Sequence, residues 1–324
     1  MKNSKKMFIL TEAVLMVLVI VLAFVMLWGK NEKDRHKVSV IVQNSDDTQW
    51  SAFKYGLKMA AEDMGIELYV VSTGGTLTVE EQERLIQWEI SNGARAVIVE
   101  PVPGADTEAM LKTIEKKVPV MLVEHTAVKD ETISAIPTTQ PDNYAMGAAL
   151  AQELLKDYDG KLKGKTLGLL SECADSEAAI SRLRGFVEAL KGEGAKFYWT
   201  AYGSDDENGE GFLSAQAKVD MVIALDDPSL KIAGEYAALK NLHGALVYGI
   251  GNSTESVYYL DVGLAECLIV PDEFNVGYES LTEVAKELGH YFYKMQDKTV
   301  SYTVLRRDTL FSMENQDLLF TMSQ

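Results

Sequence analysis

Short runs of apolar residues alternate, along residues 38–324, with longer stretches in which apolar positions recur every three or four residues. The first runs, of four to six residues each, are Val38–Val42, Leu68–Val71, Ala96–Glu100 and Val118–Val123. Such runs are typical of strands that are buried on both faces, as in a parallel sheet. The stretches between them carry apolar side chains on one helical face, first at Trp50, Phe53, Leu57, Ala60, Ala61 and Met64 and then within Thr78–Asn92 and Asp106–Lys116. The alternation predicts an α/β fold with helices on both faces of a parallel sheet.

The same alternation continues through the second half of the chain. The pattern predicts helices over Asn143–Tyr158, Ser176–Lys191 and Asn275–Met295, and strands over Thr166–Leu170, Lys196–Ala201, Met221–Leu225, Ala245–Gly249, Cys267–Val270, Ser301–Leu305 and Thr309–Met313. These are too many strands for one doubly wound sheet of about five or six strands. Two sheets in tandem account for them, with a break at Pro137–Pro141, where two prolines interrupt regular structure. Two facing lobes of this kind would share a ligand cleft outside the carboxyl ends of their strands.

An apolar segment, Met7–Trp28, precedes this part of the chain. As a helix its 22 residues would extend about 33 Å, enough to cross a hydrocarbon core of about 30 Å. We expect an uncleaved membrane anchor over residues 7–28, with a short tail at 1–6 and a linker at 29–37. A cleaved secretory signal is the alternative, although no small-x-small cleavage site follows Ala23. The Lys and Arg residues that flank the segment do not decide its orientation.

Charge is unevenly distributed along the 324 residues, which hold 48 acidic and 31 basic side chains. The first 37 residues carry seven bases and three acids, a net charge of +4, so the remainder carries 24 bases and 45 acids, or −21. So acidic a surface repels the phosphate backbone, which argues against nucleic acid as a partner. Cys173 and Cys267 are the only cysteines, too few for a small disulfide-linked scaffold.

Segments that are similar to catalytic or cofactor motifs fail on their spacing. Gly160–Thr166 has three residues between its glycines where a phosphate-binding loop needs four, and it precedes a strand instead of following one. In Gly249–Thr254 a threonine stands where a dinucleotide fingerprint needs its third glycine. The chain has no G-x-S-x-G elbow, and its four histidines have no metal-binding spacing. We therefore expect a protein that is not an enzyme and that uses no cofactor or metal.

Polar side chains recur directly after predicted strands, where they would face the cleft. They include Asp47, Gln49 and Trp50 after the first strand, Glu124 and His125 after the fourth, Arg182 on a helix of the second half, and Asp226 after Met221–Leu225. Carboxylates, a guanidinium and an aromatic ring suit a polyhydroxylated ligand, because the charged groups bind hydroxyls and the ring packs on the apolar face of a sugar. Each also has a structural alternative, since the carboxylates can cap the following helices and Trp50 can pack in the core.

Five stretches of the chain have the order and spacing of a known family. They are Trp50–Gly56, Gly93–Val99, Val118–His125, Asp142–Gly147 and Arg182–Phe186. Together they resemble the type I periplasmic solute-binding proteins of the ribose- and galactose-binding branch, whose fold also forms the ligand domains of LacI-type repressors. The resemblance covers nearly all of residues 38–324. It implies two Rossmann-like parallel-sheet lobes with a hinge and an interlobe cleft, the first at 38–138 plus 272–307 and the second at 139–271 plus 308–324.

The resemblance also implies roles for single residues. Asp47 matches a hydrogen-bonding Asn or Asp of the family, Gln49 and Trp50 match two pocket aromatics, Glu124 and His125 replace an Asp-Arg pair, Arg182 matches the pocket arginine, and Asp226 matches an Asn or Asp that precedes a helix.

Several positions depart from the family pattern. Gly251 replaces an aspartate, which leaves Asn252 as the nearest polar residue, and Pro271 replaces a Gln or Asn, with Asp272 beside it. Gln49 removes one stacking ring, and a histidine at 125 is a weaker bidentate donor than arginine. A standard pentose or hexose ligand therefore does not follow from the resemblance.

The apolar segment at 7–28 predicts a single-pass membrane protein, and the resemblance implies that its binding domain is extracellular or periplasmic. It would capture a small polar ligand, a sugar or polyol derivative, by hinge closure and present it to an ABC permease or a membrane sensor histidine kinase. The alternative is a degenerate binding-fold module that acts through protein–protein contact as an accessory to a sensor or transporter. A repressor's effector domain is disfavoured, because the apolar segment occupies the place of a DNA-binding helix-turn-helix. The ligand, the partner and the oligomeric state stay open.

Overall fold

A computed structural model describes residues 14–21, 35–75, 77–104, 106–124, 136–174, 176–203 and 211–324. Residues 1–36 and 37–324 form separate units. In the first unit residues 14–21 are helical, and the rest of the predicted anchor at 7–28 lies outside the described residues. None of the helices in the described part of the chain combines the length and the apolar character that a membrane crossing requires.

The second unit alternates strands and helices along most of its length. The strands are β1 (Lys37–Ile41), β2 (Glu67–Val70), β3 (Ala96–Val99), β4 (Val120–Val123), β5 (Thr138–Pro141), β6 (Thr166–Ser171), β7 (Lys196–Tyr202), β8 (Met221–Ala224), β9 (Leu246–Ile250), β10 (Cys267–Pro271), β11 (Lys298–Val300) and β12 (Tyr302–Leu305). The helices are α1 (Ser51–Met64), α2 (Val79–Ser91), α3 (Thr107–Glu115), α4 (Asn143–Asp157), α5 (Glu177–Ala189), α6 (Asp227–Ala238), α7 (Thr254–Asp261), α8 (Glu273–Gly289) and α9 (Gln316–Met322). Two short 3₁₀ helices, Thr48–Trp50 and Met313–Asn315, precede α1 and α9.

The described strands form two six-stranded sheets, one in each lobe. The first has the order β11-β5-β4-β3-β1-β2 and is parallel throughout. The second has the order β12-β10-β9-β8-β6-β7 and is parallel except for β12, which runs antiparallel to β10. Central strands such as β3, β4 and β8 are buried at every residue, because helices cover both faces of each sheet. The predicted α/β fold with two parallel-sheet lobes is confirmed.

The described chain passes from one sheet to the other at residue 142, at residue 272 and at residue 301. The lobe limits expected at 138/139 and 307/308 do not coincide with these crossovers. All of β5 pairs in the first sheet, and β12 pairs in the second although its residues were expected in the first lobe. A single residue separates β11 from β12, so the apolar pattern alone does not show that neighbouring strands belong to different sheets.

The strand predicted over Thr309–Met313 is wrong. Residues 307–311 form turns, and Met313–Asn315 forms a 3₁₀ helix. The backbone N–H groups of Thr309, Ser312 and Asn315 each donate to the carbonyl three residues earlier, and the side-chain amide of Asn315 donates to the Thr309 carbonyl at 2.9 Å. These local bonds use the groups that a strand would have paired with a neighbour.

A pair of glycines lets two helix backbones approach closely in each lobe. In the first lobe α1 meets α8, where a Cβ atom at Gly56 would lie 2.0 Å from the Phe274 carbonyl oxygen and one at Gly277 would lie 2.2 Å from that of Phe53. In the second lobe α4 meets α5, where a Cβ atom at Gly147 would lie 1.9 Å from the carbonyl oxygen of Arg182. These contacts hold the amino-terminal ends of four helices beside the cleft.

Replacing Gly277 by alanine should destabilise the first lobe. The added methyl group meets backbone that cannot rotate away, so we expect the free energy of unfolding to fall by about 2 kcal/mol in urea denaturation. Gly289→Ala, on the same helix, is the matched control, because no atom lies within 4 Å of a Cβ there. It should leave stability unchanged or slightly raised. Equal stabilities of the two variants would contradict the close helix contact.

Candidate functional site

A cavity of about 460 Å³ lies between the lobes, at the carboxyl ends of strands from both sheets. This is the edge at which open α/β sheets bind ligands. Seven residues predicted from the sequence line the cavity: Asp47, Gln49, Trp50, Glu124, Arg182, Asp226 and Asn252. His125 lies outside the described residues, and Asp272 is not among the lining residues. The ligand-binding role of this set stays a prediction.

Asp272 has a structural task instead. Its carboxylate caps α8, accepting from the backbone N–H of Asn275 at 3.1 Å and from the side-chain amide of the same residue at 2.7 Å. The next residue, Glu273, lines the cavity in its place. The sequence correctly indicates a carboxylate after β10, but it does not show which of the two adjacent residues, Asp272 or Glu273, lines the cavity.

The structural alternatives hold for Asp47 and Trp50 even though both line the cavity. Asp47 caps the 3₁₀ helix Thr48–Trp50, accepting from the backbone N–H of Gln49 at 3.0 Å. The Trp50 ring is 4% exposed, meets Phe53 edge to face at 5.3 Å, and donates from its indole nitrogen to the carbonyl of Gln43 at 2.9 Å. Trp50 is therefore part of the first-lobe core and exposes little of its ring to the cleft.

Three polar contacts join the two lobes across the cleft. The Lys231 ammonium lies 3.1 Å from a carboxylate oxygen of Asp47. The side-chain amide of Asn252 donates to the backbone carbonyl of Gln49 at 3.1 Å. The guanidinium of Arg182 lies 3.3 Å from Glu124. In each pair one member belongs to the first lobe and the other to the second, so these contacts connect the two lobes across the cleft.

The Lys231–Asp47 pair keeps both charges despite its partial burial. Burial works to raise the pKa of Asp47, but hydrogen bonds from the Gln49 N–H and from Lys231 outweigh it and hold that pKa below its usual value. Burial also works to lower the pKa of Lys231, and the nearby carboxylates of Asp227 and Asp47 reverse the effect and raise it. The contact is therefore an ion pair at neutral pH. Sequence reasoning missed Lys231, whose only signal is its place one helical turn after Asp227.

Arg182 is 7% exposed and uses all three guanidinium nitrogens. Its Nε donates to the side-chain oxygen of Asn143 at 2.8 Å, its Nη1 to the carbonyl of Leu225 at 3.1 Å, and its Nη2 to Glu124 at 3.3 Å. These bonds connect α5 to α4, to the end of β8 and to the first lobe. Arg182 thus holds elements of the cleft together, and it is also a candidate hydrogen-bond donor to the ligand.

Asp226 and Asp227 organise the second-lobe side of the cleft. Asp226 caps α6 through the backbone N–H of Ser229 at 3.0 Å and accepts from the Ser171 hydroxyl at 2.8 Å. One oxygen of Asp227 accepts four hydrogen bonds of 2.7–2.9 Å, from the backbone N–H groups of Asn252 and Ser253 and from the hydroxyls of Ser253 and Ser256. These bonds shape the loop that carries Asn252.

The same network explains the glycine at 251. A Cβ atom there would lie 2.7 Å from the Ser256 hydroxyl and 2.8 Å from the Asp227 carboxylate. Side chains from two helices thus occupy the space that an aspartate at this position would need. The glycine at 251 therefore leaves no empty space in the cleft wall, because the side chains of Asp227 and Ser256 fill it.

Three glutamates that the sequence did not single out also line the cavity: Glu100, Glu172 and Glu273. Burial raises the pKa of Glu100 to about 8, helped by the charges of Glu124 and Glu172, although the Gln43 backbone N–H donates to Glu100 at 2.6 Å. Burial and the charge of Glu124 likewise raise the pKa of Glu273, against the opposing charge of Arg182. No group of three or more His, Cys, Asp or Glu in the described ranges is arranged to hold a metal ion.

Comparisons with solved structures show the same two-lobed fold. A carbohydrate-transporter solute-binding protein from Agrobacterium radiobacter in complex with D-arabinose has a TM-score of 0.76 and 15% identity, over 89% of this chain and 99% of its own. GanP, a glucose-galactose binding protein from Geobacillus stearothermophilus, has a TM-score of 0.71 and 18% identity, over 86% and 100%. A XylFII–LytSN complex has a TM-score of 0.69 and 16% identity, over 85% and 98%.

The family follows from a match to the sequence itself. No curated protein sequence matches the chain. A family model described as the periplasmic binding protein domain matches residues 38–290, which is most of the chain and takes in strands of both sheets. The matching family is one of binding domains, in agreement with a role that is not enzymatic. The chain therefore belongs to the periplasmic binding protein family.

Proposed function

We propose that the protein is a solute-binding protein that captures a small polar ligand, a sugar or polyol derivative, between its two lobes. The observation that carries the proposal is the cavity of about 460 Å³, which is lined by polar groups from both lobes at the carboxyl ends of their strands. Its size falls within the range of small-molecule sites. D-arabinose, glucose and galactose, named for two structural neighbours, support this ligand class.

Capture would work by hinge closure. The lobes are joined where the described chain crosses between the sheets, at residues 142, 272 and 301, and these short connections can act as hinges. A ligand that contacts both lobes binds the closed form more tightly than the open one, so it shifts the population toward closure. The interlobe contacts of Lys231, Asn252 and Arg182 would set how far the unliganded protein is already closed.

The closed form would be recognised by a membrane partner, either an ABC permease or a sensor histidine kinase. The XylFII–LytSN complex among the structural neighbours supports a sensor as the partner, and the neighbour described as a carbohydrate-transporter solute-binding protein supports a permease. We include tethering through the apolar segment at 7–28 in the proposal, because its length and composition suit a membrane anchor. The binding domain would then lie outside the cytoplasmic membrane, in the periplasm or at the cell surface.

A second candidate is a module that acts through protein contact and has lost ligand selection. The observation that favours it is the pairing of cleft groups with one another: Asp47 with Lys231, Glu124 with Arg182, and the Gln49 carbonyl with Asn252. A ligand must compete with these contacts or add to them. The following two experiments separate the candidates.

The first experiment measures ligand capture. The full chain in detergent is screened by thermal shift against D-arabinose, D-glucose, D-galactose, D-fucose and their reduced polyols. At least one should raise the melting temperature and reduce the radius of gyration in small-angle scattering. Gln49→Ala should lower the affinity for that ligand about tenfold, since the cleft loses a hydrogen-bonding group. Its melting temperature without ligand should not change, because only the backbone carbonyl of Gln49 bonds the other lobe.

Gln316→Ala, at an exposed position outside the cavity lining, is the control and should bind as the parent does. If none of the compounds raises the melting temperature, the result would favour the module that acts through protein contact.

The second experiment tests the interlobe ion pair. Lys231→Gln removes the charge that faces Asp47, so the closed form should lose about 1 kcal/mol of stability relative to the open form. This corresponds to roughly a fivefold rise in the open-to-closed ratio. Small-angle scattering of the unliganded protein should show a larger radius of gyration. Lys191→Gln makes the same charge change at an exposed site of the same lobe and should leave the radius unchanged. An unchanged radius for Lys231→Gln would show that the pair does not hold the lobes together.

A further inference from the structure

The carboxylates of the cleft are not all compensated by the protein. Seven of the described lining residues are acidic: Asp47, Glu100, Glu124, Glu172, Asp226, Asp227 and Glu273. Two of the described lining residues, Arg182 and Lys231, are basic. The site therefore carries a surplus of negative charge wherever these carboxyl groups are ionised.

Most of the aspartates already have partners on the protein. Lys231 lies between Asp47 and Asp227, at 3.1 and 3.6 Å. Asp226 accepts from the Ser171 hydroxyl and from two backbone N–H groups. The surplus charge is thus concentrated on the other side of the cavity, around the glutamates.

Three glutamates meet at the first-lobe side of the cavity. Glu100 directly follows β3, Glu124 directly follows the neighbouring strand β4, and Glu273 opens α8 just after the crossover from β10. Because β3 and β4 are neighbours in the sheet and all three residues line the same cavity, the three carboxyl groups share one region of the cleft. Arg182 is the one basic residue of the described lining that reaches them, and its hydrogen bond goes to one oxygen of Glu124.

Two oxygens in this group are buried and have no hydrogen-bond partner among the described residues. One belongs to Glu273, which is 3% exposed, and the other is the second carboxylate oxygen of Glu124. Both residues line the cavity. Buried acceptors without donors are costly, and buried carboxylate charges without a counter-charge more so. An occupant of the cavity that donates hydrogen bonds and carries positive charge removes both costs.

We propose that the ligand of this cleft carries a protonated amine, which Glu273, Glu124 and Glu100 receive, as in an amino sugar or an amino polyol. The inference rests on the proposed solute-binding function and makes its ligand class narrower. A hydroxyl group can donate one hydrogen bond to a carboxylate, but it leaves the charge in place. An ammonium group supplies three donors and a positive charge, so it can satisfy several of these oxygens at once.

The raised pKa of Glu100 and of Glu273 agrees with this reading. These carboxyl groups hold protons more tightly than usual, since burial and the neighbouring carboxylates disfavour their charges. A bound ammonium group would take the place of those protons.

The test compares matched ligands by isothermal titration at pH 7 on the full chain in detergent. The pairs are D-glucosamine and D-glucose, D-galactosamine and D-galactose, and glucosaminitol and sorbitol, with N-acetyl-D-glucosamine as the uncharged derivative. At least one aminated member should bind about tenfold or more tightly than its hydroxyl partner, as expected for a charged hydrogen bond. The N-acetyl derivative should lose that advantage.

Glu273→Gln keeps the shape of the side chain and removes its charge, so it should reduce the preference for the amine about tenfold. Glu100→Gln provides the same test at a second position if Glu273→Gln fails to fold. Glu235→Gln, at an exposed site on α6 outside the cavity lining, is the control and should leave the preference intact.

The outcomes distinguish this inference from the proposed function. Neutral members that bind as tightly as their amines, or a glutamine variant that keeps the full amine preference, would overturn the inference and leave solute binding standing. No heat of binding from any member of any pair, together with no stabilising compound in the thermal-shift screen, would refute both.

Discussion

The buried guanidinium of Arg182 is the contact on which the cleft depends. It joins two helices of the second lobe through Asn143, holds the end of β8 through the Leu225 carbonyl, and reaches the first lobe at Glu124. Its position is set by the close approach of α4 and α5, since the glycine at 147 lies against the Arg182 backbone. A planar cation with fixed donor directions suits this task, because each bond orients the other two.

The single positive charge of Arg182 also limits how many carboxylates of the cleft the protein itself can neutralise. One guanidinium cannot neutralise three glutamates, and the other basic residue of the described lining, Lys231, is engaged by two aspartates. The electrostatics of the cleft are therefore asymmetric. On the second-lobe side Asp226 accepts from the Ser171 hydroxyl and from two backbone N–H groups, and Lys231 lies 3.6 Å from the Asp227 oxygen that accepts no hydrogen bond. On the first-lobe side one buried oxygen of Glu273 and one of Glu124 have no hydrogen-bond donor among the described residues. This asymmetry is the basis of the proposed preference for a ligand that carries an amine.

Comparison of sequence and structure shows which kinds of residue could be anticipated. The residues that follow strands, such as Asp47, Glu124 and Asp226, were predicted to face the cleft because strand ends are visible as the ends of apolar runs. The sequence analysis named Asp272 and not its neighbour Glu273, because the sequence does not show which of two adjacent carboxylates turns back to cap the helix. Lys231 was missed, because a lysine on a helix normally points to solvent and only the opposite lobe gives it a partner.

The sequence by itself determined the fold class, the presence of two parallel sheets and the edge at which a ligand cleft would form. These follow from the spacing of apolar residues, which reflects local backbone geometry and the burial of each strand on both faces. Only the tertiary structure decided which charges are paired, which carboxyl oxygens stay without donors, and where the chain crosses between the sheets. The reason is distance along the chain: Lys231 and Asp47 are 184 positions apart, and Asn252 and Gln49 are 203. Such contacts depend on how the two lobes face each other, which no local pattern records.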